Sequence, residues 1–404
     1  MLLRARVGTF LTFLLAGLLC GVWTARMPAL AAKFDADEGA IGVVVLVWGL
    51  GALAAMQGLR AVMSRFGSRA VLRVSLPLTA LTYLGVAFAP DYALLLVAVA
   101  AFGMAFGITD IAMNAQGSVV EQAYRRSIMS SMHAGWCVGA MSGGLIGVAT
   151  AAAGLGFTTT VVIAALVGLP AGLALGPTYL ADPATAARTA GGRRARLPLA
   201  VYLIGALAFI AFMTEGSIAD WSGLFLHGEL GTTQAVAALG YPMFELAMLF
   251  GRLVGDRLRM RLGTRRLLAW AGFGTAAAMT VVVTAPSASV AIGGFFLTGL
   301  VVCTIVPTTI SLAGSVAPGA PAAAVAQVGA MGYGGLLLGP VVIGFLSQAT
   351  TLRIGVGVAV LLALIVGVGA RFVPLGGRLD VAEAAPEPAA AVGADAGEPA
   401  TVAA

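Results

Sequence analysis

Apolar runs of about twenty residues recur a dozen times along this chain of 404 residues, and each is long enough to cross roughly 30 Å of hydrocarbon as a helix. Read between charged or Pro/Gly breaks, they fall at 8–32, 40–59, 70–89, 92–120, 128–153, 156–176, 197–226, 233–255, 266–285, 288–314, 322–348 and 352–373. A chain built this way has little freedom to be anything but an all-α protein of the bilayer. Its charge content agrees. Only 10% of the residues are Asp, Glu, Lys or Arg, against about 25% for a soluble domain whose outside must face water. The 55 glycines suit helices that approach one another closely in lipid.

Composition also narrows the chemistry. Cys20, Cys137 and Cys303 all lie inside apolar runs and form no CxxC pair, so they read as packing residues. No metal or other cofactor is expected. The net charge is +6, but it is spread over short loops, so nucleic acid is not a partner. The first 25 residues have the basic start and apolar stretch of a secretory signal. Cleavage there would leave an odd number of spans, so a retained first span is the preferred reading.

Basic residues set the orientation. With a cytoplasmic N-terminus, all of the 23 basic residues fall inside except Arg26, Lys33 and Arg353. Both termini are therefore expected in the cytoplasm of a cell whose plasma or inner membrane holds the protein. The chain also repeats. Arg65-Phe-Gly67-Ser-Arg69 after the second run returns as Arg261-Leu-Gly263-Thr-Arg265 after the eighth, 196 residues on. The fold expected is twelve helices in two parallel pseudo-symmetric six-helix bundles, residues 1–176 and 197–373, working as a monomer. A cytoplasmic linker spans 177–196, and the Ala/Pro/Glu-rich tail 374–404 reads as disordered. Parallel six-helix repeats are a transporter plan in which a small-molecule substrate is handled near the midplane.

The repeated loops resemble the signature of the major facilitator superfamily, Gly-x3-Asp-Arg-x-Gly-Arg-Arg. Arg65, Gly67 and Arg69 occupy motif positions, whereas Ser64 and Arg60 replace its Asp and leading Gly; in the second half Met260 stands for the Asp, with Asp256 one turn earlier. Trp23-Thr-Ala-Arg26-Met-Pro28, Asp110-Ile-Ala-Met-Asn114-Ala-Gln116, His133-Ala-Gly-Trp136, Glu215-Gly-Ser-Ile-Ala-Asp220-Trp221 and Tyr333-Gly-Gly-Leu-Leu-Leu-Gly339-Pro340 look like the fucose-permease-like branch and its bacterial relatives. That resemblance implies proton coupling and sugar binding at Asp110 and Asn114. The acid that the branch carries in its first span is missing here.

Ionisable side chains at membrane depth are costly unless paired or hydrated, so each is a functional candidate. Asp110 lies about 18 residues into the fourth run, past the midplane, with Asn114 on the same helical face; an interhelical hydrogen bond is its bland alternative. Glu245, about twelve residues into the eighth run, sits near the midplane with no basic residue in helical reach. Glu215 is a cavity candidate in the seventh run, whereas Asp220, about 140° around the helix, reads with Trp221 as an outer gate or interface anchor. Arg26 either binds an anionic or sugar-like solute or snorkels to the surface. His133 is assigned to gating or structure. So are Arg65, Gly67, Arg69, Arg252, Asp256, Arg261, Gly263 and Arg265 at the cytoplasmic span ends. Glu121 reads as an ion-pair partner of Arg125. Gly139-x3-Gly143 and Gly335-x3-Gly339 read as helix-packing surfaces.

These residues point to a secondary active transporter moving a small solute by alternating access and coupled to protons, and the fucose-permease-like resemblance implies a sugar-like substrate. Proton-coupled efflux of a drug or metabolite is the competing direction. No Gly-x4-Gly-Lys-Ser/Thr run supplies ATP binding. A sensor or membrane-embedded enzyme is the rival class, but the chain has no HExxH and no Gly-x-Ser-x-Gly. It is expected not to be an enzyme.

Overall fold

A computed structural model describes residues 1–125, 128–182, 197–317 and 321–373. Most of the linker and the whole tail, residues 374–404, lie outside the described residues. Twelve helices are long and apolar enough to cross a membrane. The first half comprises α1 (Leu2–Ala25), α2 (Glu38–Leu59), α3 (Arg65–Phe88), α4 (Tyr92–Tyr124), α5 (Met129–Ala152) and α6 (Phe157–Leu175). The second comprises α7 (Leu199–Leu224), α8 (Gly240–Leu262), α9 (Thr264–Val283), α10 (Ala288–Val316), α11 (Pro321–Ala349) and α12 (Leu352–Gly369). The protein is a multi-pass membrane protein of two six-helix bundles. Its lipid face is apolar, with exposed Leu81, Val97, Leu361 and Ile365.

The predicted spans survive with shifted ends. The first begins at Leu2 and breaks at Arg26, where Pro28 starts a short helix, Met27–Phe34. A proline in a first helical turn loses no hydrogen bond, so it favours a fresh start there. The tenth is interrupted at Cys303 and Thr304. Caps fix several starts: Asp37 accepts from Ala40 N at 2.7 Å and Asp91 from Leu94 N at 2.8 Å. Glu121 corrects one expectation. Its carboxylate does not pair with Arg125; Oε2 accepts from both Ile128 N and Met129 N at 2.8 Å, and so caps α5 from the end of α4. Two otherwise orphaned donors at a positive helix end are a better partner than an exposed arginine.

Glycine stripes join the helices in matched pairs. A Cβ on Gly139 or Gly143 would collide with the backbone of Leu14 or Leu18 in α1. Likewise Gly335 and Gly339 press against Phe209 and Met213 in α7. The packing role read from both stripes holds, and α1–α5 and α7–α11 are equivalent close pairs.

The two repeated loops share a backbone as well as a sequence. Gly67 has φ 76° and ψ 164°, and Gly263 has φ 73° and ψ 159°. That region is essentially closed to residues with a Cβ. It lets consecutive spans follow one another with a single residue of reversal.

Candidate functional site

One face of α8 builds the centre of the molecule. Tyr241, Glu245 and Arg252 are spaced i, i+4 and i+11 and share that face. Tyr241 Oη donates to Glu245 Oε1 at 2.9 Å, and Glu245 is only 5% exposed. Arg252 stands about 10 Å further along the axis than Glu245. Side chains lean toward a helix's N-terminus, so the long arginine leans back toward the acid. It donates to Cys137 Sγ of α5 at 2.9 Å and lies in electrostatic range of Glu215 and Glu245. The expectation that Glu245 had no basic neighbour is corrected, as is the grouping of Arg252 with the loop arginines: it is an interior residue.

Arg252 nonetheless makes no direct ion pair with either acid. Among the described residues the direct pair is Arg353–Glu229, at 3.2 Å, far from this cluster. Glu215 Oε1 and Glu245 Oε2 are buried and have no hydrogen-bond partner among the described residues. Unpaired acceptors of this kind cost free energy unless water or a ligand satisfies them.

The first half contributes Asp110. Its Oδ2 accepts from Tyr333 Oη of α11, and Asn114 Nδ2 donates to Oδ1 at 3.4 Å and to the Asp110 carbonyl at 2.8 Å. Asp110, Asp220 and Glu245 all lie in electrostatic range of Cys20 on α1. The structure therefore brings Asp110, Asp220 and Glu245 near Cys20, and Glu215 and Glu245 near Arg252, with Asn114 tied to Asp110. Arg26 stays apart. It is 1% exposed, donates to Leu155 O at 2.6 Å and packs beside Gly147, all within the first half.

The loops that carry the repeated arginines define one end of the bundle, called here the basic end. At the opposite end the halves meet. Asp37 Oδ2 accepts from Gln348 Nε2 at 3.0 Å, and Gly42 of α2 abuts Gly344 of α11. Asp220 faces Trp23 of α1. Trp221 is not an interface anchor: it is fully buried and donates from Nε1 to Pro340 O at 3.0 Å. At the basic end a Cβ at Gly58 or Gly329 would meet nothing within 4 Å among the described residues. His133, near the start of α5, is exposed, edge-on to Phe13 at 5.2 Å and in range of Arg252.

The repeated arginines meet mostly backbone or nothing. Arg265 Nε donates to Val373 O at 3.0 Å, and Arg73 Nε to Gly176 O at 2.8 Å, so each half ties down the end of its sixth span. Arg65 lies over the neighbouring Phe66 ring and Arg261 is exposed. The side chain of Asp256 lies outside the described residues. An acid that the sequence reading passed over enters here: Asp182 Oδ2 accepts from Arg69 N at 3.4 Å and packs beside Gly67.

Asp182 belongs to a strap, described over Gly176–Asp182, that folds back on the first half. Tyr179 is 3% exposed and shares a 2.8 Å hydrogen bond with Thr12. With its amide turned to satisfy donors and acceptors, Gln116 bonds both Leu180 N, at 2.9 Å, and Leu180 O, at 3.3 Å. Tyr333, Cys137 and Asp182 were thus missed as site or loop partners. Only the quoted Tyr333-Gly-Gly stretch carried a signal for any of them.

Known proteins agree with this architecture. Residues 7–318 match the model of the Major Facilitator Superfamily. An uncharacterized transporter, y4wD, of Sinorhizobium fredii is 34% identical over 363 residues, covering 88% of this chain and 94% of that protein. Membrane protein MosC of Rhizobium meliloti is 31% identical, covering 88% of this chain and 86% of that protein. The crystal structure of a point mutant of the nucleoside transporter NupG superposes with a TM-score of 0.74 at 14% identity, covering 92% of this chain and 99% of that one. A bacterial homolog of the human lysosomal transporter Spinster, inward-facing and occupied, gives 0.72 at 14% identity, covering 95% and 98%; at such identities the likeness is one of fold. With the family model spanning most of the chain and relatives above 30% identity along nearly all of it, the chain belongs to the major facilitator superfamily.

Proposed function

We propose that this transporter couples proton movement to the passage of a small, sugar-like solute across the cell membrane. The basic end would face the cytoplasm and the halves would alternate in access. The observation that carries the reading is the excess of acid at the centre. Asp110, Glu215 and Glu245 lie within electrostatic range of Cys20 or Arg252, and Arg252 is the one basic side chain among them within the described residues. One guanidinium can balance one carboxylate; the others must hold a proton, meet water or bind solute. Protons can then load and leave as access alternates. Unpaired acceptors at Glu215 and Glu245 suit hydroxyl donors, which favours uptake of a polyhydroxyl solute over an anion. In this scheme Asp220 and Trp221 belong to the outer gate, and Arg65, Arg69, Arg261 and Arg265 to the inner one.

A thermal-shift screen of the purified protein against sugars, organic acids and drug-like cations identifies the solute. With it in proteoliposomes, Asp110→Asn and Glu245→Gln should abolish accumulation driven by a pH gradient while leaving exchange partly intact. A neutral amide keeps the shape of the side chain but cannot release a proton. Uphill accumulation by both variants would place the coupling on other groups.

A further inference from the structure

Asp110 is held by a donor from the other half of the molecule, and this bond has a part to play beyond packing. Asp110 is on α4, in the first half. Tyr333 is on α11, in the second, and its phenol donates to Asp110 Oδ2. Tyr333 cannot drift toward Asp110 independently of its own half. Its ring stacks on Phe212 of α7, with centroids 6.2 Å apart and planes inclined by 18°. The glycines beside it, Gly332 and Gly335, press on Phe212 and on the Phe209 backbone. The α7–α11 pair therefore carries the phenol as a rigid unit. The residue is still 40% exposed, so it is not sealed in the core.

Hydrogen-bond accounting at Asp110 gives the bond its meaning. Tyr333 supplies a donor to one carboxylate oxygen and Asn114 a long one to the other. A carboxylate is an acceptor only, whereas a protonated acid must also donate. With both neighbours donating, the acid is satisfied without its own proton. The other titratable group placed near it is the Cys20 thiol of α1; no basic side chain is placed against it among the described residues. When rocking of the halves withdraws α11, Oδ2 loses its donor, and a proton from water or a hydroxyl of the solute must replace it.

We propose that Tyr333 is the coupling partner of Asp110: a phenol whose presence or absence, set by the relative position of the halves, governs the acid's proton. This rests on the proton-coupled reading above and names the residue through which conformation reaches the proton site. Tyr333 positions and does not itself carry the proton across.

The test uses protons alone as the probe, since no solute is needed. Infrared difference spectra of the purified full-length protein in lipid bilayers, titrated with acid, report carboxylic acid C=O bands. Asp110→Asn identifies the Asp110 band by removing it. Tyr333→Phe keeps the ring stacked on Phe212 and removes only the hydroxyl. The expected result is a frequency shift of that band and a change of about tenfold in proton affinity, one pH unit. A Tyr333→Phe protein whose Asp110 band titrates as in the parent would overturn the Tyr333 assignment while leaving proton coupling at Asp110 standing. Absence of any titrating band that Asp110→Asn removes would sink the proton role of Asp110 itself, and the coupling role of Tyr333 with it.

Discussion

The two repeated loops have the same backbone and different company. Gly67 and Gly263 differ by only a few degrees in each dihedral, yet a Cβ on Gly67 would strike the Asp182 carboxylate while one on Gly263 would meet nothing within 4 Å among the described residues. The same divergence runs through the halves at the centre. The first offers Asp110, whose partners are neutral; the second offers Glu215 and Glu245 under the influence of Arg252. Pseudo-symmetry thus copies the chain path and leaves the side chains free to specialise. At the centre the first half has one acid held by neutral donors, and the second has two acids sharing one guanidinium.

The largest break in this comparison should come from Arg252→Met. Removing the guanidinium leaves two interior acids without a counter-charge. Because the arginine is only half-buried, the loss should sit below the full cost of severing a buried pair, at about 2–3 kcal/mol. It is read as a lower midpoint of thermal unfolding in detergent. Asp110→Asn, which removes a charge with no basic partner, should move that midpoint far less. Equal losses from the two would mean that Arg252 does not balance the second-half acids.

Alanine at the two glycines comes next. Each substitution forces a Cβ into a glycine-only region, at about 1–3 kcal/mol. Gly67→Ala should cost more than Gly263→Ala, by roughly 1 kcal/mol, because of the collision with Asp182. In the double variant Gly67→Ala with Asp182→Ala that excess should vanish. If the two glycine variants are equally destabilised, Asp182 does not press on the first loop.

The smallest effect belongs to the strap. Tyr179→Phe deletes the bond to Thr12 and should cost about 1 kcal/mol, seen as faster proteolysis after the sixth span. Protection unchanged from the parent would show that the strap is held by burial of the ring alone.

Hydropathy made the twelve spans legible because a lipid-crossing helix needs a length of apolar chain that little else needs. The repeat was legible because its glycines have no substitute. Arg252 was misplaced for a physical reason. A charge ten residues before a basic loop looks like the loop's own edge, and only packing against Cys137 shows it to be inside. Tyr333 lies in an apolar run where a tyrosine usually packs, and its bond to Asp110 joins residues 223 apart. Arg26 looked available because its partner, the Leu155 carbonyl, is a backbone group that no side-chain pattern advertises. Glu121 was paired by helical spacing with a residue that turns out to cap the helix in a left-handed conformation, Arg125 at φ 51°.

The strap also says where this protein can be divided. Every contact described for Gly176–Asp182 is made to the first half, through Thr12, Gln116, Arg69 and Arg73. A gene split just after Asp182 would send that seal along with the fragment it closes. The separately translated pieces, 1–182 and 183–404, would then have to find each other only through the faces on which they meet. Such a split pair would make assembly of the halves measurable apart from folding within either half.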